Sequence, residues 1–151
     1  MTSEARTGGC LCGAVRFTAQ LTRSSFGVCH CQMCRRWTGS ALMGITVPVE
    51  NVVWTGAEHI ATRQTSDWAM RAWCRDCGSG LYYRITSEGP MSANYELPVG
   101  ILDDANGLTL VNEIYIDEKP DCFAYAGEGR TVLTRAEVHA KFPTLAGTLG
   151  I

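Results

Sequence analysis

A chain of 151 residues with 46% hydrophobic and 19% charged residues is long enough to bury a core of its own, and a formal charge of −2 offers no basic stripe for tracking phosphates. No apolar run reaches the roughly 18 residues of a membrane-spanning helix, and Met1 to Gly9 lacks the apolar stretch of a signal peptide. The expectation is one domain over residues 1–151, cytoplasmic, with no nucleic-acid or membrane partner. In such a reducing compartment clustered cysteines read as metal ligands rather than disulfides.

The periodic segments are short. Ala14 to Ala19 alternates, placing Val15, Phe17 and Ala19 on one face and Arg16 and Thr18 on the other. Gln32 to Thr38 reads as a short helix stopped by Gly39. Ala41 to Val47 and Gly80 to Ile85 are strand candidates, too apolar for a clean alternation. Between them, Trp68, Met70 and Ala72 alternate with Ala69, Arg71 and Trp73. Asn112 to Asp117 alternates likewise, with Ile114 and Ile116 expected inside. Thr134-Arg135-Ala136-Glu137 has the form of a capping box, so a helix is expected from Thr134 to just before Pro143, with His139 facing solvent. Asn51, Gly56, Glu88-Gly89-Pro90 and Asn106-Gly107 punctuate the strands. Many short strands and only short helices make an all-β fold.

The chemistry lies in the cysteines, of which there are eight. Seven gather as Cys10 and Cys12, as Cys29, Cys31 and Cys34, and as Cys74 and Cys77. A structural zinc takes four protein ligands, whereas a catalytic zinc takes three and keeps one position open. Two pairs and a triplet divide into one site of each kind. Cys10 and Cys12, two apart in extended chain, face the same way. Cys74 and Cys77 have the spacing of a zinc knuckle, so the two pairs share the structural ion. Competing assignments have Cys74 and Cys77 completing the triplet's site, or some cysteines as free core thiols.

Cys29, Cys31 and Cys34 leave a fourth position for water or substrate unless His30, His59 or Cys122 closes it. Three thiolates make zinc a weaker Lewis acid than three histidines do, which favours holding a substrate thiolate over activating water. Two zinc ions on seven thiolates would carry the formal charge from −2 to about −5. Arg35 and Arg36 read as solvated residues offsetting that charge, and Trp37, Trp54, Trp68 and Trp73 as core.

The strings Gly9-Cys10-Leu11-Cys12-Gly13, Cys29-His30-Cys31-Gln32-Met33-Cys34-Arg35 and Cys74-Arg75-Asp76-Cys77-Gly78 resemble those of the glutathione-dependent formaldehyde-activating enzymes, a family that also includes centromere protein V. Ile114 to Pro120 is similar to that family's closing strand. The resemblance covers about residues 8–130 and leaves 131–151 as a C-terminal extension. It implies tent-like antiparallel sheets pinned by zinc, with a structural zinc on Cys10, Cys12, Cys74 and Cys77 and a catalytic zinc on Cys29, Cys31 and Cys34. It also implies a carbon–sulfur lyase acting on a thiol such as glutathione and a small aldehyde, as S-(hydroxymethyl)glutathione synthase does. Cys122 stands where the family pattern has a tryptophan, and with the extension it departs from that pattern. The alternatives are a non-catalytic zinc module that binds a protein partner, and a methionine sulfoxide reductase with Cys122 as nucleophile.

Overall fold

A computed structural model describes residues 3–147, so the last four residues of the extension lie outside the described part. A three-stranded sheet has the order β1-β2-β5, with β1 at Glu4–Gly9, β2 at Arg16–Leu21 and β5 at Val52–Thr55. An eight-stranded sheet is built from β3 (Ser25–Cys29), β4 (Leu42–Pro48), β6 (Ile60–Gln64), β7 (Ala69–Cys74), β8 (Gly80–Ile85), β9 (Asn94–Pro98), β10 (Thr109–Ile114) and β11 (Thr131–Leu133). Its order is β11-β10-β3-β4-β9-β8-β7-β6. Among the described residues the α-helices are α1 (Gln32–Thr38) and α2 (Arg135–Lys141), and the fold is accordingly all-β.

Both helices start and stop where local chemistry directs. Gly39 closes α1 in the left-handed region at φ 77°, with its N–H on the Arg35 carbonyl. Thr134 caps α2 in a complete capping box with Glu137.

Pairing is antiparallel except at one edge. There β10 runs parallel to both β3 and β11, a departure from the all-antiparallel expectation. β11 belongs to the C-terminal extension, which thus covers a sheet edge that would otherwise be bare.

The main core lies between the sheets. Val15 and, from β2, Phe17, Ala19 and Leu21 meet Ile45 and Val47 of β4, Ala72 and Cys74 of β7, Leu81 of β8, and Tyr95 and Leu97 of β9. The alternation over Ala14 to Ala19 therefore has the expected face inside. Strand alternation then aims Gly44, Thr46, Arg71, Tyr83 and Glu96 at the opposite face of the larger sheet.

The alternation over Asn112 to Asp117 falls the other way from expectation. Glu113 and Tyr115 are buried, whereas Ile114 and Ile116 are only half-buried. The strand ends at Ile114, and Tyr115 turns left-handed at φ 56°, which moves its ring inside. His139 also departs from expectation: it is half-buried, 3.1 Å from the Tyr115 hydroxyl. Among the described residues no helix is long and apolar enough to cross a membrane.

Candidate metal centres and their cavity

The turn after β1 and the turn between β7 and β8 bring the two cysteine pairs together. The Sγ atoms of Cys10, Cys12, Cys74 and Cys77 all lie within 4.8 Å of one another. Cys10 and Cys12 are 3.6 Å apart, and Cys12 and Cys74 are 3.8 Å apart. The sulfur–sulfur edge of a tetrahedral zinc site is about 3.8 Å, so these thiols fit that ion, and all of them are free.

Each turn is held by its own backbone. Gly13 and Gly78 take left-handed φ values of 79° and 81°, which a side chain would strain. The Gly78 N–H bonds the Cys74 carbonyl at 2.8 Å, and the Val15 N–H reaches Cys10 Sγ at 3.3 Å. Ser79 ties the pairs together, accepting from the Leu11 N–H at 2.9 Å and lying 3.2 Å from Cys77 Sγ. Hydrogen bonds from Ser79 pull the Cys77 thiol down to about 5. His59 is occupied at this end of the molecule, with Nδ1 2.6 Å from Asp76 of the second turn.

The triplet is built by the end of β3 and the start of α1. The Sγ atoms of Cys29, Cys31 and Cys34 also lie within 4.8 Å of one another. Cys31 is the N-cap of α1, and its sulfur accepts from the Cys34 N–H at 3.3 Å. Hydrogen bonds with Cys29 and Cys34 draw the Cys31 thiol down, the Cys34 amide and Arg71 helping, while Cys29 is pushed up through its bond to Cys31. Among the described residues no histidine, carboxylate or further cysteine joins the three.

His30, between two of these cysteines, points away from them. It is fully buried with Nε2 2.8 Å from Glu113 Oε1, and Arg130 holds Oε2 of the same carboxylate at 2.6 Å. Arg130 also donates to the Tyr125 and Ala126 carbonyls, so residues beyond the closing strand brace the triplet loop. Arg35 is half-buried rather than solvated, its Nε on the His30 carbonyl at 3.1 Å. Thr38 bonds the Cys34 carbonyl at 2.9 Å, a helix-end role, and Cys122 is exposed.

A cavity of about 440 Å³ opens at the triplet, lined among others by Cys29, Cys31, Cys34, Arg71, Tyr83 and Glu96. The four-cysteine cluster is not in its wall. Arg71 is 3% exposed, stacks 4.8 Å from the rings of both Trp37 and Tyr83, and donates to Cys34 Sγ at 3.7 Å. Its Nη1 is buried with no partner among the described residues. Trp68 also lines the cavity and donates to the Tyr83 hydroxyl at 3.1 Å, so it serves as wall as well as core. Phe142 and Leu145 of the extension complete one side.

The glutathione-dependent formaldehyde-activating enzyme profile aligns with residues 5–118. The chain belongs to that family. It is 31% identical over 122 residues to an uncharacterised lyase of Schizosaccharomyces pombe, covering 80% of this chain and 85% of the yeast protein. A crystal structure of a Rhodobacter sphaeroides protein shares the fold, with a TM-score of 0.56 at 24% identity over 70% of this chain and 99% of that one. In this family member the extension from 131 onward lies beyond the profile, yet it supplies part of the cavity wall.

Arg71, Tyr83, Glu96 and Glu113 carried no motif. Glu96 and Tyr83 sit in ordinary alternating strands, and only the pairing of β7, β8 and β9 assembles them in the cavity wall that the triplet shares.

Proposed function

We propose that this family member is a zinc-dependent carbon–sulfur lyase acting on the adduct of a thiol with a small aldehyde, as S-(hydroxymethyl)glutathione synthase does. The observation that carries the reading is the division of the cysteines. Four cluster away from the cavity, whereas three form part of its wall with no fourth protein ligand beside them among the described residues. Cys10, Cys12, Cys74 and Cys77 would hold a structural zinc, and Cys29, Cys31 and Cys34 a catalytic one. Zinc bound to the triplet would keep a substrate thiol deprotonated yet nucleophilic at its open position.

The residues around it suit addition of a thiol to a carbonyl. In that direction the sulfur–carbon bond forms as the carbon–oxygen π bond breaks, and the thiol's proton ends on the carbonyl oxygen. The buried Arg71 guanidinium offsets the thiolate charge from beside Cys34. Tyr83 accepts from Trp68, which leaves its own proton free for a carbonyl oxygen, and burial raises its pKa so that it stays protonated. Leu42, Ile85, Met91 and Phe142 exclude water from the adduct. A reducing, cytoplasmic location fits seven free clustered thiols. The cavity favours this enzyme over a non-catalytic zinc module, which has no use for one.

The test joins metal analysis to exchange kinetics. Two zinc ions per chain, with glutathione–formaldehyde exchange accelerated by the protein and not by Cys31→Ser, is the expected result. Exchange no faster than in buffer overturns the assignment.

A further inference from the structure

Glu96 is a carboxylate that the proposed chemistry leaves unused. It sits on β9 opposite Thr46 of β4 and beside Tyr83 of β8, facing the cavity. The Thr46 hydroxyl lies 2.8 Å from Oε1 and 3.0 Å from Oε2, which satisfies one acceptor with one proton. No lysine, arginine or histidine of the described residues forms an ion pair with it. Gly44 leaves room for the group, because a Cβ there would come within 3.3 Å of Oε2. Arg23, Asn94 and Asn112 line the same cavity.

Glu96 is half-buried in the cavity wall and, with Arg23 acting on it only from beyond ion-pair distance, presents a carboxylate whose charge no close partner among the described residues answers. We infer that Glu96 is the anchor for a primary ammonium group carried by the thiol substrate. The inference rests on the thiol-directed reading of the triplet. Distance separates anchoring from proton transfer. Cys29 pairs with Leu42 and Glu96 with Thr46, four residues further along β4, so their backbones stand about 13 Å apart along the strands alone. That span is too long for a proton to pass directly, but it suits the two ends of an extended amino-acid or small-peptide thiol. Arg71, two strands from Glu96 and with an unpartnered Nη1, would take an anionic group of the same molecule. Burial raises the free carboxyl to about 7, the Thr46 hydroxyl and Arg23 opposing, and a bound ammonium would reverse that shift.

Calorimetric binding of three ligands to the zinc-loaded protein tests this: glutathione, N-acetylglutathione, which lacks the ammonium, and S-methylglutathione, which lacks the thiol. N-acetylation should weaken binding at least ten-fold in the wild type and leave binding by Glu96→Gln little changed. S-methylation should weaken both proteins by a similar factor. The wild-type comparison stands even if the variant folds poorly. If N-acetylation has no effect while S-methylation does, the ammonium anchor is overturned and the thiol site survives. If only N-acetylation matters, the anchor holds and the thiol reading falls. Absence of binding by all three overturns both.

Discussion

Tyr83 and Glu96 face each other across β8 and β9, yet their environments set opposite tasks. Tyr83 keeps its proton, and its hydroxyl accepts from Trp68 Nε1, leaving one donor to direct into the cavity. Tyr83→Phe should therefore lower kcat by about 10- to 100-fold with little change in KM, since the donor acts on charge that develops at the carbonyl oxygen. The phenyl ring would still stack on Arg71, so stability should fall by only about 1 kcal/mol for the lost Trp68 bond. Equal loss in kcat and in thiol affinity would argue against that role.

Glu96 makes a prediction about pH. Burial lifts its carboxyl from 4.5 to about 7, with Thr46 of β4, Tyr83 of β8 and Arg23 of the loop after β2 facing it. Below 4.5 the folded and unfolded chains both carry the proton, and no penalty arises. Between 4.5 and about 7 the unfolded chain ionises first, so stability is progressively lost as pH rises. Glu96→Gln should therefore gain on the wild type across that window, by at most about 3 kcal/mol above it. Urea unfolding of both proteins at pH 5, 6, 7 and 8 measures the difference, and a flat difference would show that the carboxyl bears no burial penalty.

At the scale of elements, the C-terminal extension is part of the site. β11 pairs with β10, and α2 contributes the fully buried Val138 to the core cluster that includes Cys31, Cys34 and Tyr115. Val138→Ala should cost about 2 kcal/mol in chemical denaturation, the usual scale for a buried branched side chain. Because Phe142 and Leu145 follow directly as cavity wall, the same change should loosen thiol binding. Unchanged affinity would mean that α2 only stabilises. The Arg130–Glu113–His30 chain ties the residues just before β11 to the loop carrying Cys29 and Cys31. Its groups are buried and mutually paired, so removing one strands the others.

For the whole molecule, the two cysteine clusters should contribute unequally to stability. Cys10 and Cys12 follow β1 of the small sheet, Cys74 ends β7 of the large one and Cys77 follows it, so a metal there joins the sheets. Cys74→Ser should remove that ion and largely unfold the chain, because ion binding at such a site is folding free energy. Cys31→Ser should give a folded protein with one ion fewer and no exchange activity. Thermal melts with metal analysis distinguish the two, and equal unfolding would erase the distinction between structural and catalytic sites.

The sequence by itself determined what depends on neighbours along the chain. α1 spans Gln32–Thr38 with Gly39 at its end, α2 begins at the Thr134 capping box, and β8 runs from Gly80 to Ile85, all as local spacing indicates. The cysteine groupings were legible for the same reason, since ligands two or three residues apart converge through their own backbone. Only the tertiary structure decided the cavity. Tyr115 turns inward because a left-handed residue ends β10, and Glu113 is buried because His30 and Arg130 pair with it across 83 and 17 residues. An alternating pattern identifies two faces but not which of them another layer will cover. On β9 the face carrying Tyr95 and Leu97 met the small sheet, and the face carrying Glu96 was left to the cavity. That choice rests on strand pairing between distant segments, which local periodicity does not encode.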